Sequence, residues 1–234
     1  MEKVIEIKNL SKSFGQSKIL ENISIDIEFK ERVAILGGNG AGKTTFVEMI
    51  GQTSKPTSGE IKINIDGNLK QEIGIQFQEG IWPKGITAYD IIKFYKAVFP
   101  NFNDEREKEL EEVFEIGTFA KRNLNRLSGG QKQRFNAMLS VLNKPKVVIL
   151  DELTTGLDMR LQFKILNFFK QSTIKDNQTL LIVSHNPEEV EQLCTRAIII
   201  GDKKILLDKS VEDIKKEYGS VRKLMDKYFE EGLI

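Results

Sequence analysis

Cysteine is almost missing from this 234-residue chain: Cys194 is the only one, so no disulfide can form within it. That suits a reducing compartment. Long apolar runs are missing too. Residues 147–150 and 197–200 are among the longest, far short of the roughly twenty residues of a membrane-spanning helix, and Met1-Glu2-Lys3-Val4 does not open a signal peptide. Nor is there an excess of charge, since 35 Lys and Arg balance 34 Asp and Glu to a formal +1. No Lys/Arg block stands out, which argues against nucleic acid as a partner. Histidine and tryptophan occur once each, at His185 and Trp82. What is present is 40% hydrophobic, enough for one large domain or one with an inserted lobe.

Glycine is concentrated where it counts, in Gly37-Gly38-Asn39-Gly40-Ala41-Gly42-Lys43-Thr44-Thr45. The apolar run 32–36 before it has the length and branching of a buried strand, and Phe46, Val47 and Ile50 recur after it at helical spacing. A G-x-x-x-x-G-K-T at a strand-to-helix turn is a P-loop. Its backbone N–H groups and the helix dipole face phosphates, Lys43 reaches the terminal oxygens, and the Thr44 hydroxyl is placed to ligate Mg²⁺.

Along the chain, residues 4–29 alternate apolar and polar, most clearly Ile23, Ile25, Ile27 and Phe29, which predicts antiparallel strands. Strand patterns continue at 59–65 and 73–77, and a helical lobe follows to residue 143. The charged run Asp104-Glu105-Arg106-Glu107-Lys108-Glu109 reads as a solvated helix face. Beyond it strands and helices alternate, which implies a mostly parallel sheet. Residues 147–152 form a strand ending in two carboxylates: Asp151 can hold the Mg²⁺ shell while Glu152, pointing the other way on extended backbone, could polarise a water. Gln78, after the strand 73–77, could reach Mg²⁺ or water, or be a loop glutamine. His185 follows the apolar strand 180–184 and emerges where ligands sit in open α/β sheets, or is structural.

Leu127-Ser128-Gly129-Gly130-Gln131-Lys132-Gln133-Arg134 reads as Ser128 capping a helix whose first turn is opened by glycines, a second set of bare N–H groups at a positive dipole end. Lying between a P-loop and an Asp-Glu strand, the octapeptide resembles the signature of the ABC (ATP-binding cassette) ATPases, and the resemblance spans nearly the whole chain. It implies an α/β P-loop NTPase fold: a RecA-like core with a mainly parallel sheet (1–78 and 144–234), an antiparallel β part, and a helical subdomain at about 79–143. It further implies that ATP is held by Gly37, Gly38, Asn39, Gly40, Ala41, Gly42, Lys43, Thr44 and Thr45, with Phe14 stacking on adenine in place of the usual tyrosine. Mg²⁺ falls to Thr44, Gln78 and Asp151. Glu152 becomes the catalytic glutamate, Gln78 the Q-loop and His185 the switch at the γ-phosphate. Gly38 and Leu153 stand where many members have proline.

Members of this family work as head-to-tail dimers, so Ser128, Gly129, Gly130 and Asp158 would serve the partner's ATP. A charge count agrees: MgATP brings about two negative charges, Lys43 returns about one and its helix end about half, leaving roughly half for a second helix end. The partners implied are a second ATPase subunit, identical or related, and a separate transmembrane permease. That places the chain in the cytoplasm at the inner face of the membrane, with Trp82 as an anchor in the lobe or as lobe packing. Residues 94–100 and the short stretch after Asp208 look like exporter ATPases of drugs, peptides or lipid-like substrates. The alternatives are an importer ATPase or a soluble ABC-type ATPase of iron–sulfur cluster assembly.

Overall fold

The computed structural model describes residues 2–76 and 82–231. In chain order the elements are β1 (Lys3–Phe14), β2 (Ser17–Glu28), β3 (Arg32–Leu36), α1 (Lys43–Ile50), β4 (Ser58–Ile63), α2 (Leu69–Glu72), β5 (Ile73–Gln76), α3 (Ala88–Val98), α4 (Asp104–Phe114) and α5 (Gly129–Leu139). Then come β6 (Val147–Asp151), α6 (Met159–Lys175), β7 (Thr179–Val183), α7 (Pro187–Leu193), β8 (Arg196–Gly201), β9 (Lys204–Ser210), α8 (Val211–Tyr218) and α9 (Val221–Glu231). Two sheets result, a three-stranded antiparallel one in the order β2-β1-β4 and a six-stranded one in the order β5-β6-β7-β3-β8-β9. Strands β5, β6, β7, β3 and β8 are parallel, and β9 closes one edge antiparallel to β8.

The parallel strands read as continuous apolar runs because both faces of the sheet are covered. Strand alternation sends Ala34, Leu36, Val148, Leu150, Leu180 and Ile182 into one core, under the helices. The intervening Val33, Ile35, Val147, Ile149, Leu181 and Val183 enter another, where they meet Phe46, Val47 and Ile50 of α1 and the inner face of the three-stranded sheet. Placing α1 between the two sheets is what aims the turn before it at the carboxyl ends of the large sheet. Those ends are where ligands sit in folds of this kind.

The helical lobe is capped and packed locally. Thr87 starts α3 with a reciprocal box: its Oγ1 accepts from the Asp90 N–H at 3.2 Å, and Asp90 Oδ2 accepts from the Thr87 N–H at 2.9 Å. The charged run opening α4 keeps the solvated face expected of it at Asp104, Glu105, Lys108 and Glu109, but not at Arg106. Arg106 is 95% buried. Its guanidinium donates to the Val141 carbonyl at 2.9 Å and to Glu109 at 2.8 Å, and lies 5.4 Å over the Phe168 ring. An arginine stem can fill apolar space provided its head finds acceptors, and the Phe114–Phe168–Phe169 cluster supplies that space. The short stretch after Asp208 packs on the core. Val211, Ile214, Val221, Leu224 and Met225 are buried beneath the large sheet as one face of α8 and α9.

Candidate functional site

The turn between β3 and α1 is shaped by glycines in conformations other residues avoid. Gly37 sits at φ +141°, and a Cβ there would come within 2.1 Å of the Ile200 carbonyl oxygen. Gly42, at φ +94°, is the N-cap of α1 and packs against Ile19 and Leu20 of β2. The backbone therefore bends tightly and leaves the first N–H groups of α1 without intrahelical acceptors, facing the concavity. Lys43 is 93% buried; its Nζ donates to the carbonyls of Gly37 at 3.0 Å and Gly38 at 2.8 Å. Burial lowers its pKa, while the charges of Asp151 and Glu152 pull it back up. An ammonium so held has a third proton to offer an anion above the turn.

The end of β6 supplies the acidic side. The Thr44 hydroxyl donates to Asp151 Oδ2 at 2.8 Å, which brings two hard oxygens together. Among the described residues no cluster of three or more His, Cys, Asp and Glu could hold a metal. The pair nonetheless fits Mg²⁺, which takes one or two protein oxygens and completes its shell with phosphate and water. Glu152 corrects its reading as extended backbone. β6 ends at Asp151, and Glu152 adopts φ +55°, the left-handed region, which costs a non-glycine residue about 1 kcal/mol. Its N–H still reaches the Val183 carbonyl at 2.9 Å, and its own carbonyl accepts from Gln133 Nε2. Strand alternation therefore does not set the direction of its side chain.

His185 stands exposed just beyond β7. Partial desolvation lowers its pKa, the Lys43 charge adds to that, and Glu152 and Asp151 oppose it. The imidazole is thus neutral at pH 7, able to accept or donate one hydrogen bond. Because it is the only histidine, its titration can be followed without assignment. Its midpoint should lie below the ordinary value of about 6.5, fall further in Asp151→Asn, and rise in Lys43→Ala, as read by proton NMR. A midpoint indifferent to both changes would remove His185 from the neighbourhood of these charges.

The remaining residues singled out from sequence divide between two places. Phe14, at the tip of the β1–β2 hairpin, is 56% exposed with Lys12 Nζ 4.7 Å over its ring, so its face is not absorbed by core packing. Ser128 caps α5 as expected: Oγ accepts from the Gln131 N–H at 3.3 Å and Gln131 Oε1 from the Ser128 N–H at 3.1 Å. Gly130 lies against the turn after β6, where a Cβ would stand 3.0 Å from the Gly156 carbonyl oxygen. Asp158 caps α6, accepting from the Leu161 N–H at 3.0 Å. Among the described residues no hydrogen bond joins the Ser128 turn to residues 37–45 of the same chain. Gln78 falls outside the described residues; Gln76, just before it, is buried and donates to the Asp151 carbonyl at 3.4 Å.

A buried lysine beneath a glycine-bent helix start, a Thr–Asp oxygen pair and a neutral histidine at adjoining strand ends form a triphosphate cradle with acid–base groups beside it. The family model described as "ABC transporter" matches residues 20–155. The chain belongs to the ABC transporter ATP-binding family. It is 30% identical to the methionine import ATP-binding protein MetN of Clostridium tetani over 95% of its own length and 74% of that protein. It is 31% identical to the spermidine/putrescine import ATP-binding protein PotA of Legionella pneumophila over 85% of its length, and spans 57% of that relative. A dimeric ATP-binding cassette, MJ0796, in a post-hydrolysis state bound to ADP and Pi, superposes with a TM-score of 0.78 at 27% identity, covering 88% of this chain and 98% of that one. The chain is an ABC ATPase with the α/β P-loop fold, and ATP is its ligand.

Two contacts around this ABC site had no sequence signal. Gln133, one turn into α5, ties the octapeptide helix to the Glu152 carbonyl. Glu189, on α7, takes hydrogen bonds from Thr154 and Ser184. In the sequence Glu188-Glu189 looks like an ordinary acidic first turn complementing a helix dipole, and only the fold shows that one of the two is buried.

Proposed function

We propose that this chain is a cassette that energises a solute importer, binding MgATP between two copies and hydrolysing it to drive a separate membrane-spanning permease. The observation that carries the ATPase site is the meeting of Lys43, the Thr44–Asp151 pair, Glu152 and His185 at the carboxyl ends of β3, β6 and β7. In this reading residues 37–45 wrap the phosphates, Phe14 stacks on adenine, and Thr44, Asp151 and Gln78 hold Mg²⁺, whose charge neutralises the phosphates. Glu152 accepts a proton from the attacking water, and His185 donates a hydrogen bond to the γ-phosphate. Ser128, Gly129, Gly130 and Asp158 serve the partner's nucleotide, a reading supported by the lack, among the described residues, of any hydrogen bond between the Ser128 turn and residues 37–45 of the same chain. The whole forms one cassette, with the lobe inserted between β5 and β6.

The export direction expected from residues 94–100 finds no support among the relatives above. MetN and PotA are both named as importers, and that favours the importer alternative. No helix among the described residues is long and apolar enough to cross a membrane. In this reading a separate chain spans the membrane, and this one docks on it from the cytoplasmic side.

A cavity of about 310 Å³ between the core and the lobe offers the docking place. Ile73, Ile75, Trp82, Tyr95 and Phe99 line its apolar wall, and Asn136, Ser140 and Asn143 give polar edges suited to the end of an amphipathic helix. Trp82 is half-buried, 6.1 Å from Phe135, so one side packs the lobe while the other faces the cavity. Affinity purification from membranes with the ATP-trapped Glu152→Gln chain should bring down a membrane protein. Adding Trp82→Ala should lower the yield by about tenfold, while Trp82→Ala by itself, with Glu152 intact, should keep basal ATPase within about twofold. Purely soluble partners, or a collapse of basal activity, would count against the docking surface. In proteoliposomes with the cassette outside, import demands ATP-driven loss of solute from the lumen, and accumulation there would assign export.

A further inference from the structure

Glu189 is 98% buried on α7, and neither of its oxygens meets a cation: among the described residues no Lys, Arg or His lies within ion-pair distance. A carboxylate removed from water without a counter-charge is costly and is retained only where hydrogen bonds compensate. Both oxygens are compensated by hydroxyls on different loops. Oε2 accepts from Ser184 Oγ at 2.5 Å, and Oε1 accepts from Thr154 Oγ1. Ser184 and Thr154 are themselves 99% and 96% buried.

The positions of those two hydroxyls give the carboxylate its meaning. Thr154 lies two residues after Glu152, in the turn that runs through Gly156 to Asp158, and Ser184 immediately precedes His185. Ser184 Oγ also accepts from the Asn186 N–H at 2.9 Å, so the hydroxyl that binds Glu189 shapes the backbone on the far side of His185 too. Gln162 of α6 holds the same turn from the other side, donating to the carbonyls of Thr154 at 3.3 Å and Leu157 at 2.8 Å.

We infer that Glu189 is a positioning residue that locks the loop after Glu152 to the loop of His185, so that the two groups acting on the γ-phosphate move as one unit with the 153–158 turn. The inference rests on the roles proposed above for Glu152 and His185. It explains why a charge is spent in a place that an apolar residue could fill. A carboxylate accepts from two hydroxyls at once, whereas an apolar side chain would leave the Thr154 hydroxyl without its acceptor, cut the tie from Ser184 to α7, and free the two loops to slide.

Glu189→Ala should lower kcat about 10- to 100-fold while the affinity of the monomer for ATP stays within about twofold. Glu189→Gln should restore most of the loss, because an amide can accept one hydroxyl and donate to the other. Thr154→Val and Ser184→Ala, each removing one tie, should show the same kcat loss in smaller measure even if Glu189→Ala folds poorly. The position of the His185 NMR signal should shift in Glu189→Ala and return in Glu189→Gln. Wild-type kcat in Glu189→Ala, or in both Thr154→Val and Ser184→Ala, overturns the inference, as does a Gln variant no better than Ala. Full activity in Glu152→Gln would instead overturn the roles on which it rests, and the two failures are read from separate variants.

Discussion

Glu152→Gln should bind MgATP, form the closed dimer and lose turnover by about 10²- to 10⁴-fold, the range a positioned general base contributes. That corresponds to roughly 3–5 kcal/mol of barrier. The substitution is nearly isosteric, and its local supports are backbone groups: the N–H bound to Val183 and the carbonyl bound by Gln133 both remain. Only the carboxylate is lost, and with it the capacity to take a proton from water. Removing one negative charge beside the phosphates also favours closure, so the dimer should outlive the wild-type complex. Phosphate release and size-exclusion chromatography with ATP measure the two halves of this expectation. Turnover within about twofold of wild type would take Glu152 out of the chemistry.

Ser128→Arg should abolish turnover, by about a hundredfold or more, and leave the monomer's hold on ATP intact. Two separable costs attach to this site. Losing the cap costs α5 about 1 kcal/mol, because the Gln131 N–H loses its acceptor, and this should show as a modest fall in thermal midpoint. The larger effect needs a second copy: the long cationic side chain would occupy the space in front of the helix end where another chain's phosphates are to sit. Introduced into Glu152→Gln, it should therefore prevent ATP-dependent dimerisation while labelled ATP still binds with unchanged affinity. Equal loss of binding and closure would mean that the Ser128 turn belongs to its own chain's site, and the head-to-tail arrangement would fall.

Local spacing made most of the cradle legible. A P-loop is a run of nine consecutive residues, and its glycine conformations follow from residue type, so Lys43 and Thr44 could be placed from sequence alone. Ser128 was readable for the same reason, since a capping box spans four residues. Strand existence was legible from apolar runs, because a strand buried on both faces leaves no polar alternation to confuse it. What escaped was non-local. The left-handed turn at Glu152 is imposed by neighbouring β7 and by Gln133, neither near it in sequence. Arg106 looked solvated because its neighbours are charged, yet its head is met by Val141, 35 residues on.

Residues adjacent along the chain are enough to specify a nucleotide cradle, two carboxylates at a strand end, a histidine at the next and a capped glycine turn elsewhere, because each of these features is local. Tertiary structure alone decided how these parts act on one another. It brought Thr44 to Asp151 across 107 positions and bound the Glu152 and His185 loops through Glu189. Contacts of that kind depend on which strand ends lie side by side in the sheet, and the order β5-β6-β7-β3-β8-β9 is a property of packing that no single segment encodes.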